Sequence, residues 1–401
     1  MNMAKKLIKI QKPIGALNIF AKFFKIFESN IALHRVSIDT IGSYALRYDK
    51  SVIEKVTKKI NSNLKNRIKG KSQKITLTDE EVDLIIEARK KHPKQGELFA
   101  KNTLVSIVST LDILFARIFE FYYTNNPSKL SLDNKNITFS ELKSIKKVEE
   151  AQKFLINREV DLLLLQKGIK ERFDILKDEL GIIIPDNAEY IKELKKLVKM
   201  RNLIVHNEGR ADGDFVSHYG EGKLKEDEFL KVEQEYLKDA VELVYFVGSY
   251  ILQIAQKNLS KNPILTSDYI INDVMHDLLQ KDQYNLMRPI YDYAIIEGNL
   301  DDINKKMIIV NYCIALKKQG KANDHIEKVL DKEDWTSSRE DFKMAHSALK
   351  GNREEFYRQL ANLIKTKKVF KDQLEDWQLF TFYRKDPKFK ELLKIAPKQN
   401  M

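Results

Sequence analysis

Helix breakers are scarce in this chain: 14 Gly and 8 Pro are spread over 401 residues. So few breakers leave little room for the dense turns of an all-β sandwich and favour long helices with short connections. Apolar residues make up 43% and charged residues 32%, enough for packed interiors and too apolar for a wholly disordered chain. The length allows two or three domains, each with its own core. The class expected is all-α.

Three regions follow from the pattern of apolar positions. In residues 1–92, a helical and basic N-terminal region, Leu17, Phe20, Ala21, Phe24 and Phe27 recur at helical spacing, and Lys12, Lys22 and Lys25 interrupt any apolar core of a signal peptide. An amphipathic packing helix is expected there. Thr78-Asp79-Glu80-Glu81 reads as a helix start, and Lys65–Lys74 as a basic, solvated patch.

Residues 93–262 read as a four-helix bundle. The first helix, from Gly96 to Tyr123, carries Leu104, Val105, Val108, Leu111, Phe115, Ile118, Phe119 and Tyr122. Ser140 caps a second stretch that reaches Leu180 with a break near Gly168, and Pro185-Asp186-Asn187 opens a third helix running to His206. After an Arg210–Asp227 loop, a fourth helix takes Phe229, Val232, Tyr236, Ala240, Val244, Val247, Ile251 and Ile254 as its core stripe. The apolar run Ala240–Ala255 contains Glu242 and is too short to span a bilayer, so no transmembrane segment is expected.

Residues 263–401 are organised as short helix pairs. A small residue followed by Gly marks expected helix ends at Gly298, Gly320 and Gly351, and two of these segments begin 33 residues apart, at Ala315 and Ala348. The period resembles that of tetratricopeptide arrays, which bind proteins or peptides; an irregular helical domain fits equally.

The third helix of the bundle carries the feature that packing does not explain. Tyr190, Leu194, Leu197, Val198, Ile204 and Val205 define an apolar face, and Arg201 falls near its middle. A guanidinium there must be paired or must face a cleft. Asp112, on the otherwise apolar first helix, is a candidate partner across the bundle; a surface acid is the other reading. Asn202 and His206 stack on one flank at i, i+4. Arg201 and His206 diverge by roughly 140° on an ideal helix, so they meet at one phosphate only through a distorted last turn or a second copy of the helix. Arg near a helix C-terminus is also a plain dipole interaction. A looser Arg339/His346 pair lacks the neighbouring polar residues and reads as coincidence, and His218 reads as solvent-exposed.

The string Arg201-Asn202-x3-His206-Asn207-Glu208-Gly209, at the end of a third bundle helix, resembles the signature of the HEPN domain, found in prokaryotic toxins, abortive-infection proteins and RNA-targeting effectors. That resemblance implies a metal-independent endoribonuclease acting through the ribose 2′-hydroxyl. Arg201, Asn202 and His206 would be the catalytic residues, Asn207, Glu208 and Asp112 would contact substrate, and neither metal nor cofactor would be needed. It further implies RNA as partner and a homodimer that pairs two motifs, with the C-terminal region free to bind a regulatory protein or phage trigger. The alternative is a non-catalytic HEPN-like module that binds RNA or nucleotide, or a helical interaction module. The net charge of +12 suits a polyanionic partner. The lone Cys313 excludes an intramolecular disulfide and a cysteine zinc site and fits a reducing cytoplasm. No phosphate-cradling Gly loop or nucleophile elbow is present, and Glu80-Glu81 and Glu149-Glu150 read as solvated faces.

Overall fold

The computed structural model of the chain describes residues 19–40, 58, 95–130, 135–143, 145, 147–184, 189–259, 269–296 and 300–398. The expected helix start at Thr78, the basic patch Lys65–Lys74, the Pro185 opening and Gly298 lie outside these residues. Among the described residues the secondary structure is helical, apart from a single antiparallel bridge between Arg210 and Phe229. The chain divides into two compact units, Met1–Lys261 and Asn262–Met401.

In the first unit, helix α1 spans residues 19–40. It is followed by α2 (Gln95–Asn125), a 3-10 turn Pro127–Leu130, the one-turn α3 (Phe139–Leu142), α4 (Val148–Gln166), α5 (Ile169–Leu180), α6 (Glu189–His206), α7 (Gly213–Tyr219) and α8 (Gln234–Leu259). The 31-residue α2 is the spine: α4, α6 and α8 all pack on it, and α8 also meets α5 and α6. Its buried positions, among them Leu104, Ile107, Val108, Leu111, Leu114, Phe115, Ile118 and Phe119, follow the three-four spacing of a single apolar face.

The second stretch of the bundle is split as its glycine suggests. Lys167 and Gly168 leave the helix between α4 and α5, and Glu171 reaches back to take the Gly168 N–H at 2.8 Å. Its cap is not Ser140. Thr138 accepts the Glu141 N–H and closes a capping box around α3, and the chain leaves the helix before α4 begins. Ser140 lies inside α3, and the Thr138-x-x-Glu141 pair satisfies two backbone donors at once.

Helix α8 is buried from Ala240 to Gln256 without interruption, on every side rather than along one stripe. One cause is α1, which belongs to this bundle and not to a separate N-terminal region. The Phe27 ring occupies the space a side chain at Gly248 would need, with a Cβ there falling 2.3 Å from its Cζ. Phe20 meets Phe121 edge-on at 5.1 Å, and Arg35 holds Glu242 through two bonds of 2.7 and 2.5 Å. Gln234 Nε2 donates to the Ile38 carbonyl at 3.0 Å. Helix α1 therefore packs within the same compact unit as the bundle, a unit that ends at Lys261.

The second unit contains α9 (Tyr269–Gln280), a 3-10 turn Tyr284–Leu286, α10 (Met287–Ile296), α11 (Asp302–Lys318), α12 (Asn323–Leu330), α13 (Glu340–Leu349), α14 (Arg353–Lys365), α15 (Lys371–Asp376), a second 3-10 turn Gln378–Phe382 and α16 (Pro387–Ile395). Helix α11 is its centre, contacting α9, α10, α12 and α13. The pairs α11/α12 and α13/α14 turn at Gly320 and Gly351, both with positive φ (71° and 78°). Those turns are 31 residues apart in sequence. Ala315 stands five residues before its glycine and Ala348 three, so the 33-residue spacing links positions that are not structurally equivalent. Cys313 is fully buried in α11 and burial pushes its thiol pKa up, which makes it a core residue. No helix among the described residues is long and apolar enough to cross a membrane.

Candidate functional site

Helix α6 buries Ile191, Leu194, Leu197, Met200 and Leu203, a set shifted from the expected one. Tyr190, Val198 and Ile204 are only half-buried and Val205 is 51% exposed. Arg201 follows Leu197 by four residues, about 40° around the helix, and so stays within the buried arc.

Its guanidinium reaches across to α2, where Nη2 donates to Asp112 Oδ2. The other carboxylate oxygen of Asp112 takes a bond from Arg172 Nη1 at 2.5 Å, so one acid on α2 bridges two arginines from α5 and α6. The two arms differ. Arg172 has a side chain 8% exposed and uses every part of its fork, with Nη2 on the Leu164 carbonyl at 2.6 Å and Nε on the Lys167 carbonyl at 3.0 Å. It thereby ties the interrupted end of α4 to α5 and α2. Arg201 is 20% exposed, and its Nε is buried with no hydrogen-bond partner.

The remaining motif residues lie elsewhere. Helix α6 keeps its regular winding through His206, so the last turn is not distorted. His206 is nine residues beyond Leu197 and, at about 100° per residue, points away from the core. It is exposed, as is Asn202. Arg201 and His206 are separated by about 7.5 Å of helix rise and about 140° of rotation, and they do not converge within one chain. The irregularity comes after His206: Glu208 and Gly209 both adopt positive φ (53° and 77°), and the Gly209 N–H reaches back to the Leu203 carbonyl at 2.9 Å. Asn207 and Glu208 are exposed, and Asn207 Nδ2 donates to the Arg210 carbonyl at 3.0 Å.

The segment after α6 is folded, not an open loop. Backbone bonds Ala211 N to Glu228 O, Asp227 N to Ala211 O and Leu230 N to Gly209 O, of 2.8 to 2.9 Å, lace its two ends together. Between them α7 is capped by Asp212, whose side chain accepts the Phe215 N–H at 2.7 Å. Lys199 on α6 pins that helix through Asp212 and Asp214 at 2.9 and 2.8 Å. Burial pushes the Asp212 carboxyl up, but the Lys199 ammonium and the Phe215 N–H hold it below its ordinary value. Phe229, expected in the fourth helix, sits in this lacing, and α8 starts five residues later at Gln234. Its spacing to Val232 and Tyr236 is helical, but the pairing with Arg210 takes its backbone. His218 is exposed on α7 with Nδ1 against the Asp214 carbonyl.

Arg172 was not among the expected site residues. The signal that singles out Arg201 also marks it, because Arg172 lies on the stripe of Ile169, Phe173, Leu176 and Leu180 that α5 buries. Among the described residues no group of three or more His, Cys, Asp or Glu could hold a metal ion. In the second unit, Arg339 pairs with Asp341, and the His346 ring stacks on Trp335 at 5.2 Å, where burial lowers its pKa. Arg339 and His346 thus have separate partners.

Fold and site define an all-α chain whose first unit is a helical bundle with an Arg–Asp–Arg bridge at its core and an exposed histidine at the end of α6. No protein-family model, curated protein or solved structure matches it.

Proposed function

We propose that this chain is a metal-independent endoribonuclease of the HEPN type, acting in the cytoplasm as a defence effector or toxin. The observation that carries the reading is the unequal use of the two arginines on Asp112. Arg172 spends its donors as a structural arginine does, while Arg201 keeps a buried Nε–H without a partner. Leaving such a donor unpaired costs about 1–3 kcal/mol, so it calls for an explanation, and a catalytic role for Arg201 supplies one.

In the proposed reaction a 2′-hydroxyl attacks the adjacent phosphorus, the P–O5′ bond breaks, and the products are a 2′,3′-cyclic phosphate and a 5′-hydroxyl. His206 takes the 2′-proton or returns one to the leaving oxygen. Arg201 stabilises the negative charge that builds on the phosphorane, and Asn202 orients the phosphate. Asn207 and Glu208 would contact the substrate beside His206, and Asp112 holds Arg201 in place. Requiring the 2′-hydroxyl as nucleophile confines cleavage to RNA. Because Arg201 and His206 diverge on one helix, the proposal includes a homodimer in which one copy's arginine works with its partner's histidine. The second unit, built of stacked helix pairs, is proposed to receive the regulatory protein or phage trigger.

The test is complementation. Wild-type expression should slow growth and yield RNA fragments ending in cyclic phosphate. Arg201→Ala and His206→Ala should each remove both effects, by about 100-fold or more in cleavage rate. Co-expressing the two inactive variants should restore part of the activity, since a mixed dimer rebuilds one complete site. Wild-type protein that leaves growth and RNA the same as the double variant does would refute the reading.

A further inference from the structure

Near the end of α6 stand two cations, Lys101 and Arg210, that form no ion pair with an acid among the described residues. Arg210 lies with its guanidinium carbon 4.1 Å from the centre of the Phe229 ring, and the Lys101 ammonium, from α2, is 5.2 Å from the same centre. A ring quadrupole fixes a cation in place without cancelling its charge. Lys101 is also pressed against Gly209, where a Cβ would fall 2.8 Å from its Nζ. At a φ of 77° that position favours a residue without a side chain. Of the acids in the surrounding segment, Asp212 and Asp214 pair with Lys199 and Glu228 accepts the Lys225 N–H, and none pairs with Lys101 or Arg210. Among the described residues neither Lys101 nor Arg210 has a carboxylate within ion-pairing distance, and Arg210's side chain donates only to the Asp227 carbonyl, at 3.1 Å.

An exposed phenylalanine is costly to leave in water, and Phe229 is 52% exposed. Both cations lie over its ring. Dipole compensation explains one cation near a helix C-terminus, but not two held on a single aromatic face-plate. Gly209 and Arg210 follow His206 by three and four residues along the chain, which puts this cluster at the same end of the bundle.

The geometry points to Lys101, Phe229 and Arg210 as a phosphate-gripping platform for single-stranded RNA, which holds the strand beside His206. This rests on the nuclease reading for the identity of its ligand. Lys101 and Arg210 take successive phosphates, and Phe229 keeps both cations aimed outward and prevents them from collapsing onto the nearby acids.

The test is equilibrium binding of a 5′-fluorescein-labelled single-stranded RNA of mixed sequence to the full-length chain. All proteins carry His206→Ala, so that the strand is not cut, and salt is varied. Removing one phosphate-binding cation should reduce the slope of log affinity against log salt by about 0.7. Lys101→Gln and Arg210→Gln should each show that reduction and bind several-fold more weakly. Lys101→Arg and Arg210→Lys keep the charge and should keep the slope, which separates a missing charge from misfolding. Unchanged slopes in both glutamine variants, or no salt-dependent binding by the parent, would overturn the platform. Cleavage of the same RNA by the wild-type chain is read separately. A chain that cuts it while the glutamine variants bind with unaltered slope leaves the nuclease and removes the platform; a chain that binds it through these residues without cutting it leaves the platform and removes the nuclease.

Discussion

Removing Asp112 should cost far more than removing the motif arginine it holds. Breaking a buried ion pair by deleting one partner costs about 3–5 kcal/mol. Here the Asp112 side chain is 25% exposed and Arg172 retains its two carbonyl bonds, which lowers the expectation for Asp112→Asn to about 2–3 kcal/mol. Arg172→Met loses the same ion pair together with the ties to Leu164 and Lys167, and should fall in the same range. Arg201→Met is different. It gives up one bond and also removes the unpaired Nε, while Asp112 remains satisfied by Arg172, so about 0–1 kcal/mol is expected.

Thermal unfolding followed by far-ultraviolet circular dichroism reads these differences. At about 2–4 °C per kcal/mol for a unit of this size, Asp112→Asn and Arg172→Met should lower the midpoint by roughly 5–10 °C and Arg201→Met by at most a few degrees. Both tryptophans, Trp335 and Trp377, belong to the second unit, so their fluorescence gives a separate trace of that unit in the same melt. The ranking is the informative result. If Arg201→Met destabilises as much as Arg172→Met, Arg201 is a structural anchor and the contrast supporting the nuclease disappears. If Asp112→Asn changes the midpoint by less than a degree, the bridge itself contributes nothing.

The reasons that some of this was legible in the sequence, and some not, are physical. Sparse Gly and Pro with three-four apolar spacing specify helices locally, so α2, the break at Gly168 and the end of α6 at His206 could all be read directly. Arg201 stood out because a charge on an apolar face demands a partner, and Asp112 was nameable because it interrupts an equally apolar helix. Their joint partner Arg172 lies 60 residues from Asp112, and nothing in local spacing states which three faces meet. The role of α1 was hidden in the same way. Its phenylalanines announce a packing helix, but the receptor is Gly248, 221 residues beyond Phe27. A glycine inside a helix costs about 1 kcal/mol relative to alanine, and that penalty is itself the trace of a close approach. Phe229 misled because its spacing fits α8, while the bridge to Arg210 depends on left-handed backbone at Glu208, Gly209 and Asp227, which side-chain periodicity does not encode.

Two further perturbations probe how α1 is held. Gly248→Ala places a methyl group 2.3 to 2.9 Å from three atoms of the Phe27 ring. The overpacking cost of about 1–3 kcal/mol should outweigh the roughly 1 kcal/mol gained in helix propensity and lower the melting midpoint. Adding Phe27→Leu should recover part of that loss, whereas a neutral or stabilising Gly248→Ala would show that the ring does not seat there. The second concerns pH. His34 is buried, and its Nε2 lies 2.8 Å from Thr110 Oγ1, while that hydroxyl gives its proton to the Ser106 carbonyl at 3.1 Å. The oxygen is left to accept, so neutral His34 carries its proton on Nε2, and burial holds its pKa below the ordinary 6.5. The unfolded chain therefore binds more protons than the folded one as pH falls below about 6.5, and stability rises with pH in that window. The contribution is complete above the unfolded value and is lost as pH falls toward the lowered folded value. His276 and His346, also shifted down by burial, add slope of the same sign in the second unit. Between pH 5 and 7, circular dichroism melts should therefore show the wild-type midpoint rising with pH, and His34→Gln should flatten that rise while the tryptophan trace keeps its own. An undiminished slope in His34→Gln would mean that the α1–α2 contact does not select the neutral imidazole.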